Sequence, residues 1–140
     1  MIRYLLDTNA VGDFLNHRYG VFTRFEEARK RGIVIGTCEP VVSELYFGVE
    51  NSATHVENLA RLESGLRQIK CWPLTRQASK EYGRLALALK RAGRVIGQID
   101  ILIAAIAISL GDCIVVSNDK DMLVIPGLTV ENWREEVKSR

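Results

Sequence analysis

Short apolar runs alternate along the chain with longer stretches in which apolar residues recur every three or four positions. Short apolar runs bounded by turn residues predict strands, and the longer spacing predicts helices. The pattern predicts strands or extended segments at Ile2–Leu6, Ile33–Gly36, Lys70–Pro73, Cys113–Ser117 and Leu128–Val130. It predicts helices at Ala10–His17, Val21–Arg31, Glu39–Val49, Ala53–Ile69, Thr75–Arg91 and Asp100–Leu110.

The order of these elements predicts the fold class. Strands separated by helices are joined by right-handed crossovers, which produce a parallel sheet with helices on both faces. We therefore expect an α/β fold of three layers, α/β/α, with a central parallel sheet. The 140 residues contain no repeat and no Pro/Gly/Ser linker, so residues 1–140 are expected to form one domain. Ligands of such folds bind at the carboxyl ends of the strands.

Composition narrows the class of protein. A 47% hydrophobic chain can bury a full core, and a net charge of +2 is too mild to indicate nucleic acid by overall charge. The three cysteines are scattered, which argues against a disulfide framework or a cysteine zinc site and fits a reducing compartment. Asp7 interrupts the N-terminal apolar run too early for a signal peptide, and Ile101–Leu110 is about half a membrane span. A cytoplasmic protein without membrane contact is expected.

Several acidic residues occupy places with two interpretations. They follow predicted strands or lie on apolar helices: Asp7 after the first strand, Glu44 beside a helix stripe, Asp100 opening the most apolar helix, and Asp119 and Asp121 after the strand CIVV. Each has a structural explanation, since Asp and Asn favour turns and helix caps and a helix glutamate can simply be exposed. The alternative is a shared acidic site at the carboxyl edge of the sheet.

A shared acidic site requires a cation. At an effective dielectric constant near 20, two carboxylates about 4 Å apart repel by roughly 4 kcal/mol, so the group persists only if protons or cations neutralise it. Oxygen ligands without Cys or His favour Mg²⁺ or Mn²⁺. The usual chemistry of such a site is phosphoryl transfer or hydrolysis.

Four segments together resemble a known family. LLDTN at the N-terminus, SELYFGVE, DILIAA, and SNDKD before a PGL and VENW tail resemble PIN-domain proteins, and more narrowly the VapC-type toxins of toxin–antitoxin pairs. The resemblance spans nearly the whole chain. It implies a metal-dependent endoribonuclease whose catalytic and metal-binding acids are Asp7, Glu44, Asp100 and Asp121, with Mg²⁺ or Mn²⁺ as cofactor. A metal-activated water would attack an RNA phosphodiester in line.

The last of these segments departs from the family pattern. The family loop resembles TxNxxDF, and here it is VSNDKDM, with Val116 in the hydroxyl position and Met122 in the aromatic one. Asn118 takes the family's Asn and Asp121 its acid, while Asp119 is a second candidate for the fourth acid.

The remaining expectations concern substrate and partners. Thr8 and Asn118 are expected to orient ligands or waters, and Arg91 and Arg94 to contact RNA phosphates, although a solvated helix face explains the two arginines equally well. The resemblance also implies a cognate antitoxin and a homodimer. The apolar residues of the helix pair 40–69 serve either as that interface or as core.

Two other functions fit the same architecture. A haloacid-dehalogenase-like phosphatase also has a strand that ends in Asp, but it needs a second Asp where this chain has Asn9. A receiver-type phosphotransfer domain needs a phosphate-sensing lysine, and the setting of Lys120 fits poorly.

A third alternative is a non-catalytic PIN-like module that binds RNA or protein. It would be distinguished by the absence of metal-dependent RNA cleavage.

Overall fold

The fold is a five-stranded parallel sheet flanked by helices, seen in a computed structural model that describes residues 1–135. The strands are β1 (Arg3–Leu6), β2 (Val34–Cys38), β3 (Lys70–Trp72), β4 (Cys113–Val116) and β5 (Thr129–Glu131). The helices are α1 (Thr8–Leu15), α2 (Val21–Lys30), α3 (Glu39–Glu50), α4 (His55–Leu66), α5 (Arg76–Arg91) and α6 (Gln98–Leu110). The predicted α/β fold with a central parallel sheet is confirmed.

The strand order is β3-β2-β1-β4-β5, and every neighbouring pair is parallel. The central strand β1 pairs with β4 in a register that sets Leu6 opposite Val116. Asp7 continues this pairing, since its backbone N–H donates to the Val116 carbonyl at 3.1 Å. The residues that follow β1 and β4 therefore begin side by side at the carboxyl edge of the sheet.

The core is continuous through the sheet. Leu5 and Leu6 are fully buried at its centre, and α6 is buried on almost every face, as expected for a helix rich in Ile and Ala. Thr75 caps α5 by accepting the Ala78 N–H, as the sequence predicts. No helix among the described residues is both long and apolar enough to cross a bilayer. All three cysteines are unpaired, in agreement with the sequence analysis.

Three predicted helices have different boundaries in the structure. The helix predicted at Ala10–His17 forms at Thr8–Leu15, because Asp7 caps it. The helix predicted over Ala53–Ile69 forms only at His55–Leu66, because its flanking residues are taken up by turns on either side. The helix predicted to open at Asp100 begins at Gln98, and its N-cap is Gly97 in extended conformation. Asp100 thus lies in the first turn, where the helix dipole favours a negative charge as much as a cap position does.

A buried ion pair ties the C-terminal segment to α1, and nothing in the local sequence pattern predicts it. Asp13 is only 1% exposed, and its carboxylate accepts hydrogen bonds from Arg134 Nε at 2.7 Å and Arg134 Nη2 at 3.2 Å. The Arg134 guanidinium also lies over the Tyr19 ring, 4.4 Å from its centre. The neighbouring Trp133 is buried edge-on against Tyr4. This contact holds the chain end against the helix that follows β1.

We predict that Arg134→Ala lowers the free energy of unfolding by about 3 kcal/mol, because it leaves a buried carboxylate without its main partner. Arg24→Ala is the matched control, since Arg24 Nη2 faces Glu131 at 3.8 Å on an exposed surface and also lies over Trp133. Its loss should cost about 1 kcal/mol or less. Urea unfolding measures both, and equal losses would contradict the role given to the Asp13–Arg134 pair.

Candidate active site

Asp7 caps a helix and also lies at the carboxyl edge of the sheet, where the acidic site was expected. Its side chain is only 5% exposed, and Oδ1 accepts the Ala10 N–H at 2.8 Å as the N-cap of α1. Burial raises the pKa of this carboxyl group, while the Ser117 hydroxyl and the Ala10 N–H partly offset the shift. The negative charge of Asp119 raises the pKa further. The turn and the functional interpretations of Asp7 are therefore compatible, since one oxygen serves the cap.

Glu44 is held beside Asp7 by the residue next to it. Thr8 Oγ1 donates to Glu44 Oε1 at 2.5 Å, which links the start of α1 to the exposed face of α3. The end of β1 is also held by the neighbouring strand β2, because the buried Thr37 hydroxyl donates to the Leu6 carbonyl at 2.8 Å. Thr8 thus acts on a neighbouring side chain, and its expected role of orienting a ligand or water stays a prediction.

The loop after β4 is fixed by short-range hydrogen bonds. The Asp119 N–H donates to Ser117 Oγ at 3.0 Å, and Asp119 Oδ1 accepts the Asp121 N–H at 2.9 Å. Asp119 thereby caps a short 3-10 helix, Lys120–Val124, that the sequence pattern does not predict. The Asp119 carboxylate and the backbone of Asp121 are consequently held in place.

Asp100 is the meeting point of the acidic residues. One carboxylate oxygen from each of Asp100, Asp119 and Asp121 lies within 4.8 Å of the others. The pKa of Asp100 is raised to about 6, mainly by burial and further by the negative charges of Asp119, Asp7, Glu44 and Asp121, in that order. The other three predicted acids therefore all lie close enough to act on Asp100, and Asp119 belongs to the same group.

The donor set fits a hard divalent cation. Carboxylate oxygens from α6 and from the loop after β4 converge, and the Asp119 carboxylate is fixed by a backbone contact. Burial and the neighbouring negative charges both raise the pKa of Asp100. Mg²⁺ and Mn²⁺ bind such oxygen ligands and keep several waters. Asp100, Asp119 and Asp121 are the residues placed to share such an ion.

The departures from the expected loop pattern have structural explanations. Val116 is 1% exposed and Met122 fully buried, so both serve the core, with Met122 filling the place of the usual aromatic. The hydroxyl is supplied by Ser117, one residue later, which the sequence analysis missed. A hydroxyl adjacent to the expected position was the signal that could have found it.

The predicted substrate-binding residues lie at the surface. Asn118 is exposed between Ser117 and Asp119. Arg91 is the exposed last residue of α5, and Arg94 lies in the following loop, where it lines a surface pocket together with Ile101, the neighbour of Asp100. The structure thus places Arg94 next to the start of α6, while Arg91 lies outside that pocket.

Comparison with known proteins identifies the family and agrees with the fold. Residues 4–128 match the family described as PIN domain. The chain is 30% identical to ribonuclease VapC2 of Rickettsia felis over 93% of this chain and 97% of that protein. It is 28% identical to the tRNA(fMet)-specific endonuclease VapC of Salmonella typhimurium over 95% of this chain and 99% of that protein. The fold matches the structure of VapBC2 from Rickettsia felis bound to a promoter DNA fragment, with a TM-score of 0.88, 30% identity and coverage of 94% and 99%.

The raised pKa of Asp100 predicts a pH-dependent stability in the presence of EDTA. The folded carboxyl group titrates near 6 and the unfolded one near about 4. The folded state therefore holds its proton more tightly, so this contribution is complete below about pH 4 and is lost as the pH rises through about 6. Urea unfolding between these values should show a steeper loss for the wild type than for Asp100→Asn, whereas parallel profiles would contradict the prediction. Saturating Mg²⁺ should stabilise the wild type more at pH 7 than at pH 5, because the ion binds the ionised form.

Proposed function

Because the chain belongs to the PIN-domain family, we propose that it is a VapC-type toxin, a Mg²⁺- or Mn²⁺-dependent endoribonuclease that hydrolyses RNA phosphodiester bonds. The convergence of Asp100, Asp119 and Asp121 beside Asp7 and Glu44 carries this proposal. The similarity of the chain to two VapC nucleases over almost their whole length supports this proposal. Residues 1–140 would act as one domain in the cytoplasm, where the three free thiols stay reduced.

In this proposal the acids have different tasks. Asp100, Asp119 and Asp121 would hold the cation, together with Asp7 and with Glu44 positioned by Thr8. When bound, the cation supplies charge neutralisation of the phosphate and a lowered pKa for a coordinated water. The protein contributes orientation, because the caps formed by Asp7 and Asp119 leave these side chains little freedom.

The same carboxylates would exclude a phosphodiester in the absence of a cation. Negative side chains converge at the carboxyl edge of the sheet, and a phosphate that approaches them is repelled. RNA must therefore be held by groups outside the acidic site. Arg94 and Arg91 are proposed to contact backbone phosphates, which would position RNA without reading its sequence, and Asn118 to orient a ligand or water.

The proposal includes two protein partners. The Rickettsia felis relative was solved as a VapBC2 complex, and we propose a cognate antitoxin for this chain as well. A homodimer is proposed through the exposed part of α3 and α4, where Phe47 is 71% and Val56 75% exposed. Val49 and Leu62 of the same helix pair are buried, so the core explanation holds for these two residues.

A non-catalytic module is the alternative of a different class. Its signature would be the loss of acids from the site, and all of the predicted acids are present and electrostatically coupled. The nuclease proposal therefore accounts for an arrangement that a binding module does not need.

We predict that the purified chain, free of any antitoxin, cleaves RNA with Mg²⁺ or Mn²⁺ and not with EDTA. Asp7→Asn and Asp100→Asn should each lower the cleavage rate by at least about 100-fold, since ligand loss is more severe than loss of an outer-shell contact. Asp119→Asn and Asp121→Asn, measured separately, decide which loop acid contributes more. Gel analysis of labelled RNA with saturating metal is the measurement.

Asp112→Asn is the matched control for the acid variants. Asp112 is an exposed acid at the amino end of β4 with a φ of 45°, a conformation that Asn tolerates well. Its cleavage rate should equal that of the wild type. The nuclease proposal would be contradicted if RNA stayed intact with both metals, or if Asp100→Asn cleaved RNA at the wild-type rate.

We predict that Arg94→Gln raises KM for RNA several-fold with little change in kcat, because a phosphate contact binds substrate and transition state alike. The variant should also reduce the slope of log affinity against log salt by about one charge. Arg76→Gln, at the other end of α5, is the control and should leave both quantities unchanged. A fall in kcat alone would assign Arg94 to a different task.

A further inference from the structure

A basic cleft lies at the amino edge of the sheet, opposite the acidic site. It has a volume of about 350 Å³ and lies where α2 leads into β2 and α4 leads into β3. Three exposed cations line it, Arg29 from the last turn of α2, Arg67 from the C-cap of α4 and Lys70 from the first position of β3. These cations come from three separate elements and surround one concavity, which we call the basic cleft.

The charge of the basic cleft is not compensated within residues 1–135. No Asp or Glu lines it, and no described carboxylate lies within 4.0 Å of Arg29, Arg67 or Lys70. Cations at helix C-termini interact favourably with the helix dipole, which accounts for Arg29 and Arg67. It does not account for Lys70, which begins a strand, or for the convergence of all three on one cleft.

The floor of the basic cleft is apolar. Phe25 and Ile35 are buried beneath the cations, and Ile33 and Ile69 are half-buried. Such a surface brings positive charge close to low-dielectric walls, which strengthens its attraction for an anion. Polymers with regularly repeated negative charge match three fixed cations better than a single small anion does.

We propose that the basic cleft binds the phosphate backbone of an RNA substrate at a distance from the acidic site. This inference rests on the proposed nuclease function. The acidic site repels RNA and the net charge of the chain is only +2, so concentrated positive charge elsewhere is needed to retain a polyanion.

The position of the basic cleft defines the class of RNA. Lys70 pairs with Gly36, two residues or roughly 7 Å before the carboxyl end of β2, whereas Arg29 and Arg67 lie at helix C-termini on the amino side of the sheet. A strand of only a few nucleotides held in the acidic site would not also reach Arg29 and Arg67. The basic cleft therefore selects folded RNA that is large enough to contact both edges, and contributes nothing to the cleavage of short single strands.

The test measures RNA binding in EDTA, where cleavage is not expected. The probes are unfractionated transfer RNA and a short single-stranded oligonucleotide, titrated over a range of KCl concentrations. R29Q/R67Q/K70Q should reduce the slope of log affinity against log salt for transfer RNA by about two to three, because each lost phosphate contact removes close to one unit. Binding of the short oligonucleotide should stay at the wild-type level.

R76Q/K80Q/R84Q is the matched control, because it removes two arginines and one lysine from one exposed face of α5. It should leave transfer RNA binding unchanged. The charge-preserving variant R29K/R67K should retain wild-type binding, which a structural role of the guanidinium groups would not allow. Equal losses in both triple variants, or no loss in R29Q/R67Q/K70Q, would overturn the proposal.

Cleavage of the short oligonucleotide with Mg²⁺ separates this inference from the proposed function. If R29Q/R67Q/K70Q cleaves the short strand like the wild type but cleaves transfer RNA poorly, both proposals are supported. If both RNAs are cleaved at the wild-type rate, the basic cleft proposal fails and the nuclease proposal stands. If neither protein cleaves any RNA while the binding difference persists, the nuclease proposal fails and the cleft remains an RNA-binding surface.

Discussion

Mutual repulsion among carboxylates is the constraint on which the arrangement of this molecule depends. Residues from three other parts of the chain bring negative charge to Asp100, and the pKa of about 6 reflects both its burial and that charge. The repulsion is opposed by a rigid, fully packed sheet, in which β1 and β4 are adjacent and their carboxyl ends cannot separate. A site built in this way takes up either protons or a cation, and near neutral pH the cation is the more favourable partner.

The groups that stabilise the fold at this edge also orient the site. One carboxylate oxygen of Asp7 accepts the hydrogen bond that caps α1, and one of Asp119 accepts the bond that caps the 3-10 helix. A capping carboxylate has a fixed orientation, so its second oxygen points in a defined direction at no further cost in side-chain entropy. Structural and functional interpretations of an acidic residue at a strand exit therefore need not compete.

Local patterns predicted what depends on local interactions. Helix and strand positions followed from apolar periodicity, and Asp7 was expected to meet the loop after β4 because carboxyl ends of parallel strands share an edge. Glu44 and Asp100 lie on helices, and their place in the same site was implied only by the family resemblance. The Asp13–Arg134 pair was missed because its partners are 121 residues apart and neither stands out in its own segment. Asp119 and Asp121 stayed alternatives because residues two apart in a loop point together only when a tight turn follows, and the 3-10 helix supplies that turn. Gly97 displaced Asp100 from the cap because both residues suit a helix start and only tertiary packing selects between them.

The separation of charge between the two edges follows from the topology itself. In a parallel α/β fold, helices that return antiparallel to the strands place their N-termini at the carboxyl edge and their C-termini at the amino edge. The helix dipole favours acids at the first and cations at the second. Asp100 in the first turn of α6 and Arg29 in the last turn of α2 follow this rule. An overall charge of +2 therefore does not reveal the acidic group at the carboxyl edge or the three cations that surround the basic cleft at the amino edge. If RNA binds the basic cleft as proposed, the attraction depends on where these charges lie on the sheet, which the net charge of the chain does not show.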